Sequence, residues 1–168
     1  VRFEHDHLRA ASRERLRDHA RAAADIQEPH GWSGTAELAE DRQVLAAMRA
    51  VHRQAFVPEE LQADSYEARP LSIGEGQTIS QPYIVALMTE LAKITPGENV
   101  LEVGTGSGYQ CAILASMGAR VHTIEIIPTL AHQARRAIEK EGITGIEYRI
   151  GDGYRGWPEA APFDAILV

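Results

Sequence analysis

The chain has 168 residues, 44% of them hydrophobic and 24% charged, and 17 basic against 24 acidic side chains leave a net charge of −7. This length suits one domain with an appendage, and a folded chain of such size hides roughly 70% of its unfolded surface, so neither disulfides nor a structural metal is required. The acidic balance, with no basic stripe, argues against a nucleic-acid binder, and no apolar run approaches the roughly 20 residues that cross a bilayer.

Residues 3 to 24 are rich in Ala, Arg, Glu and Asp, with Leu8 and Leu16 as the only large aliphatics before Ile26, and read as a mostly solvated helix. Because Val1 to Arg21 is charged throughout, no signal peptide is expected and the cytoplasm is the expected location. Pro29, Gly31 and Gly34 mark a linker, so residues 1–35 form an extension to a domain over 36–168. A helix is predicted over 36 to 52, where Leu38, Val44, Leu45, Met48 and Val51 recur near helical spacing. Pro58 opens a short turn or helix through Leu61, and residues 69 to 81 show no sustained periodicity. Ile84, Leu87, Met88, Leu91 and Ala92 then define an amphipathic helix ending before Pro96.

After Gly97 the pattern changes to strand 99–103, helix 107–118, strand 120–124, helix 128–141 and strands 146–150 and 163–168. Strands alternating with helical stretches predict an α/β fold with a parallel sheet and right-handed crossovers. The lone Cys111 cannot bridge, and no ligand spacing around it suggests a metal.

The densest signal is Leu101-Glu102-Val103-Gly104-Thr105-Gly106-Ser107-Gly108-Tyr109-Gln110. Glycines between a strand and a helix allow a tight turn and let a ligand lie against the backbone; a bare turn is the plainer alternative. A dinucleotide fingerprint starting at Gly104 needs glycine at position 109, where Tyr109 stands, which weakens a pyrophosphate reading. Glu125, 21 residues beyond Gly104 and at the tip of the second strand, suits the ribose hydroxyls of NAD and of S-adenosylmethionine equally. Glu102 puts negative charge beside the loop, which repels a pyrophosphate and suits a sulfonium. Asp152, with the Gly153 backbone N–H, closes the third strand where it could read an adenine edge. Each acid alone is an ordinary loop residue; three at successive strand ends favour a cationic adenosyl ligand.

In Gly76-Gln77-Thr78-Ile79-Ser80-Gln81-Pro82, Ser80 reads as a helix N-cap, and a serine in that place can equally offer its hydroxyl to a carboxylate. The residues alone leave both roles open. The string Ile73-Gly74-x-Gly76-Gln77-Thr78-Ile79-Ser80-Gln81-Pro82, followed by the glycine loop, resembles the protein-L-isoaspartate O-methyltransferase family, and Val44–Arg49 and Ala55-Phe56-Val57-Pro58 look like its entry segment. The resemblance covers about residues 36 to 168.

That resemblance implies a Rossmann-like doubly wound parallel sheet of the class I methyltransferase type, here truncated after its fourth strand, whose edge would be bare. It implies methylation of the free α-carboxylate of L-isoaspartyl residues in damaged proteins or peptides by S-adenosylmethionine, and repair through a succinimide. It places Ser80 as the active-site serine, Thr78 beside it in the cofactor and substrate pocket, Glu102, Gly104 and Gly106 along the methionine part, Glu125 at the ribose, and Asp152 with Gly153 at the adenine. No metal, nucleic acid or membrane is implied, and a monomer is expected. His52-Arg53, where the family often has Pro-Arg, is a departure expected to alter only a loop; His52 and His122 are read as structural or solvated. A carboxylate is already ionised at pH 7, so catalysis needs placement more than a base. The competing readings are a non-catalytic donor-binding module, a methyltransferase for another peptide carboxylate, and an NAD-dependent oxidoreductase.

Overall fold

A computed structural model describes residues 42–168; the expected N-terminal helix and linker lie outside the described residues. Helix α1 (Arg42–Ala50) turns Val44, Ala47 and Met48 into the core, and two 3-10 turns follow at Arg53–Phe56 and Glu59–Asp64. The stretch expected to lack regular structure is instead an antiparallel hairpin of β1 (Leu71–Gly74) and β2 (Gln77–Ile79). Strands of four and three residues are too short for alternation to register in the sequence, yet Leu71, Ile73 and Ile79 all point inward. The hairpin reverses through Gly74, Glu75 and Gly76, all three at positive φ, a conformation that glycine adopts at little cost.

Helix α2 (Pro82–Ala92) leads to the sheet, which runs β3 (Asn99–Val103), α3 (Tyr109–Ser116), β4 (Arg120–Glu125), α4 (Pro128–Lys140), β5 (Ile146–Ile150) and β6 (Ala165–Leu167). The four sheet strands are parallel in the order β5-β4-β3-β6, which is the predicted α/β arrangement. Helix α3 starts at Tyr109 rather than 107 because Gly106 and Gly108 carry positive φ, which no right-handed helix accommodates. Its residues Tyr109, Cys111, Ala112, Ile113 and Leu114 are all buried; a helix apolar all round belongs inside the core, and α1, α4 and β4 surround it.

Strand β6 is shorter than predicted. The chain before it is held by the Asn99 side chain, which donates to the carbonyls of Ala160 and Pro162 at 2.8 Å each. The carboxylate of Asp164 accepts the Asn99 N–H at 2.8 Å. β6 pairs with β3 on one side only, and Ile166 and Val168 are exposed. Among the described residues no helix is long and apolar enough to cross a membrane.

Candidate active site

The cleft lies at the carboxyl ends of β3 and β6, facing the hairpin and the start of α2, where open parallel sheets place their ligands. Thr78, Ser80, Glu102, Gly104 and Gly106 all line it, together with Val103, Thr105, Ser107, Tyr109 and Gln110. Five of the eight predicted site residues therefore share one cleft.

The loop is built from backbone bonds. Gly104 N–H and Thr105 N–H both reach the Ile124 carbonyl, at 2.8 and 3.3 Å, and Gly108 N–H closes the turn on the Thr105 carbonyl at 2.8 Å. At Gly104, φ is +92° and a Cβ would meet nothing within 4 Å. The left-handed backbone, not crowding, demands glycine there, and the exposed main chain is open to a ligand.

Glu125 stands one strand over, outside the cleft wall, and is 5% exposed. One carboxylate oxygen accepts the Gly106 N–H at 2.8 Å and the other the Ile127 N–H at 2.9 Å. Each oxygen keeps a second lone pair, so the acid both fixes the loop and can still accept a diol.

Asp152 caps the 3-10 turn Gly153–Arg155, its Oδ1 accepting the Tyr154 N–H at 2.9 Å. It lies outside the cleft, but Gly153 abuts it: a Cβ there would sit 2.3 Å from Val103 Cγ1. The Asp152-Gly153 turn thus borders the site across Val103.

Glu102 is buried in the cleft floor. The Thr123 hydroxyl donates to it at 2.5 Å, and Thr123 in turn lies 2.6 Å from the Thr105 hydroxyl. Burial pushes its carboxyl up to about 7, against weaker stabilisation of the anion by Thr123 and Cys111. The negative charge expected beside the loop is therefore only partly developed at neutral pH. A carboxyl raised in the folded state holds a proton that the unfolded chain has already released, so between pH 4.5 and about 7 stability falls as pH rises, and the slope vanishes on either side. Relative to Glu102→Gln, the wild type is expected to lose on the order of 2 to 3 kcal/mol across that window, read from urea midpoints at pH 4.5 to 8; a pH-independent difference between the two proteins would contradict this.

Ser80 is exposed in the cleft and is not the N-cap. Gln81 takes that position, its carbonyl accepting the Ile84 N–H at 3.0 Å, with Pro82 as first helical residue. Since Pro82 fixes its own φ and needs no N–H partner, the helix starts without a serine cap. His52 pairs with Glu141 at 2.9 Å on the surface, and His122 packs edge-on against Trp157 and Phe163. Neither lines the cleft.

Three features escaped the sequence reading. Thr123, a polar residue among Val121, Ile124 and other buried strand positions, offered the one available signal. Gln110 enters the cleft and donates to the Thr89 hydroxyl at 2.8 Å. Arg53, whose neighbourhood was expected to alter only a loop, is fully buried and donates to the Ser80 carbonyl at 2.6 Å.

A family model described as protein-L-isoaspartate(D-aspartate) O-methyltransferase matches residues 35–168. The chain is 59% identical over 129 residues to the protein-L-isoaspartate O-methyltransferase of Gloeobacter violaceus, covering 77% of this chain and 63% of that protein. A solved protein-L-isoaspartate O-methyltransferase superposes with a TM-score of 0.71 at 30% identity, over 76% of this chain and 43% of that one. A Plasmodium falciparum structure described as the same enzyme, in complex with S-adenosyl-L-homocysteine, gives 0.65 at 26% identity over 76% and 65%. The chain spans about three-fifths of the length of the curated relatives it matches.

Proposed function

Because this chain belongs to the protein-L-isoaspartate(D-aspartate) O-methyltransferase family, we propose that it serves S-adenosylmethionine-dependent methylation of the free α-carboxylate of L-isoaspartyl residues in damaged proteins, the ester then closing to a succinimide. The observation that carries this reading is the cleft itself: Ser80 and the exposed glycine backbone after β3 face each other across one opening.

The residues present suit the cofactor. Gly104 offers open main chain to its methionine part with Gly106 beside it, Glu102 sits below them, Glu125 retains lone pairs for the ribose, and the Asp152-Gly153 turn borders the adenine side. Thr78 joins Ser80 on the facing wall. When bound, S-adenosylmethionine supplies an electrophilic methyl group. The protein's own part is placement: Ser80 orients the substrate carboxylate, which is ionised at neutral pH and needs no base, and the half-enclosed cleft limits water. We take the location to be the cytoplasm and the working unit to be a monomer.

Transfer of a labelled methyl group to an isoaspartyl peptide, but not to its aspartyl counterpart, is the expected result. Ser80→Ala should lower kcat/KM for the peptide about 10- to 100-fold while S-adenosylhomocysteine binds within about twofold of wild type, as measured by calorimetry; full turnover with intact donor binding would remove Ser80 from this role. Donor binding without any transfer by the wild type would favour a non-catalytic module, and preferential NAD binding would favour the oxidoreductase.

A further inference from the structure

Arg53 is a large buried cation with no carboxylate beside it among the described residues. Its Nε donates to the Ser65 carbonyl at 2.5 Å, one terminal nitrogen donates to the Ser80 carbonyl at 2.6 Å, and the guanidinium lies 4.9 Å from the centre of the Tyr109 ring. The other terminal nitrogen is buried and makes no hydrogen bond among the described residues. Burial holds the group down to about 10, below the ordinary arginine value of 12.5. Enclosing a cation with only carbonyls and a ring opposite it is costly, and an apolar side chain would fill the space more cheaply. What the guanidinium does that an apolar group cannot is hydrogen-bond two segments at once while its charge faces the ring of a third. These are the end of the second 3-10 turn at Ser65, the β2–α2 connection at Ser80, and the first residue of α3 after the glycine loop.

Resting on the methyltransferase reading above, we propose that Arg53 is a positioning residue for the substrate carboxylate: through its bond to the Ser80 carbonyl and its stack on Tyr109 it fixes the Ser80 side of the cleft against the donor side. The planar fork is essential to this, because Nε and a terminal nitrogen diverge toward two carbonyls while the face stays on the ring. A lysine ammonium keeps the charge but cannot span both carbonyls with its flat face on an aromatic. Ser80 hangs on the chain between β2 and α2, and its hydroxyl is free of any capping duty, so the carbonyl bond is its tie to the other wall.

The test uses the full chain. In Arg53→Lys, KM for an isoaspartyl peptide should rise and kcat/KM fall about 10- to 100-fold, the loss that goes with a displacement near 1 Å, while the Kd for S-adenosylhomocysteine stays within about twofold and the far-UV dichroism is unchanged. A kcat/KM equal to wild type overturns the proposal, and so does a parallel loss of donor affinity and peptide turnover, which would mark a purely structural arginine. Should the variant not fold, the wild type gives the answer: the Nε–H resonance of Arg53 should shift when isoaspartyl peptide is added to the donor-product complex, and an unmoved resonance overturns the proposal. A wild type that transfers no methyl group to the peptide removes the premise, and that failure shows before any variant is made.

Discussion

Gly108→Ala is expected to destabilise the protein by about 2 to 5 kcal/mol, from left-handed strain of about 1 to 2 and overpacking of about 1 to 3. The residue has φ +89° at the N-cap of α3, and a Cβ there would lie 2.9 Å from Ile138 Cδ1, 3.0 Å from Ala134 Cβ and 3.3 Å from Ala134 Cα. Ala134 and Ile138 are themselves buried on α4, so neither can retreat. Typical domains have only about 5 to 15 kcal/mol in total, so the loss is a large share of the stability and should show plainly in the urea midpoint. Gly104→Ala is the matched control. Its φ is similar but its surroundings are empty, so it should cost only about 1 to 2 kcal/mol while weakening donor binding. Urea midpoints for the pair decide the matter: equal losses would mean that the contact between α3 and α4 is not what fixes Gly108.

Glu125→Ala is expected to raise the Kd for S-adenosylhomocysteine about 100-fold or more, since two hydrogen bonds from hydroxyls to a charged acceptor are worth about 1.5 to 3 kcal/mol each. The same carboxylate holds Gly106 N–H and Ile127 N–H, so the loop and the entry to α4 loosen together. Glu125→Gln impairs both roles less completely. Its amide nitrogen cannot accept from one of the two backbone N–H groups, so affinity should fall and stability should drop by about 1 to 3 kcal/mol for the donor left unpaired. Calorimetric titration and thermal unfolding of both variants provide the check; wild-type affinity in either would detach Glu125 from the ligand.

Much of the architecture was legible because its elements carry their own signals. Strand 99–103 was bounded correctly by a short apolar run ahead of Gly104 and strand 146–150 by its place between Gly145 and Gly151, and Pro128 announced the start of α4. The hairpin was not legible, since its seven strand residues take their order from Leu71, Ile73 and Ile79 meeting the core and not from local pattern. Proximity in the cleft followed from strand ends: Glu102 and Gly104 had to lie together, whereas Ser80 reached them only through family resemblance. Arg53 shows the limit most plainly. Its partners are carbonyls 12 and 27 residues away, and a main-chain acceptor leaves no trace in the identity of the residue that bears it. The half-neutral state of Glu102 was hidden for a related reason, because burial depends on α3 covering it, while the sequence displays only an acid.

The sheet order has a consequence for how the molecule is made. β3 lies between β4, which leaves the ribosome some 20 residues after it, and β6, which is synthesised more than 60 residues later. As the chain emerges, β3, α3 and β4 can already dock, since nascent domains form from their N-terminal parts onward, but the flank of β3 reserved for β6 stays uncovered until translation reaches Leu167. During that interval a growing chain displays an unpaired strand margin able to capture a neighbour on the same messenger.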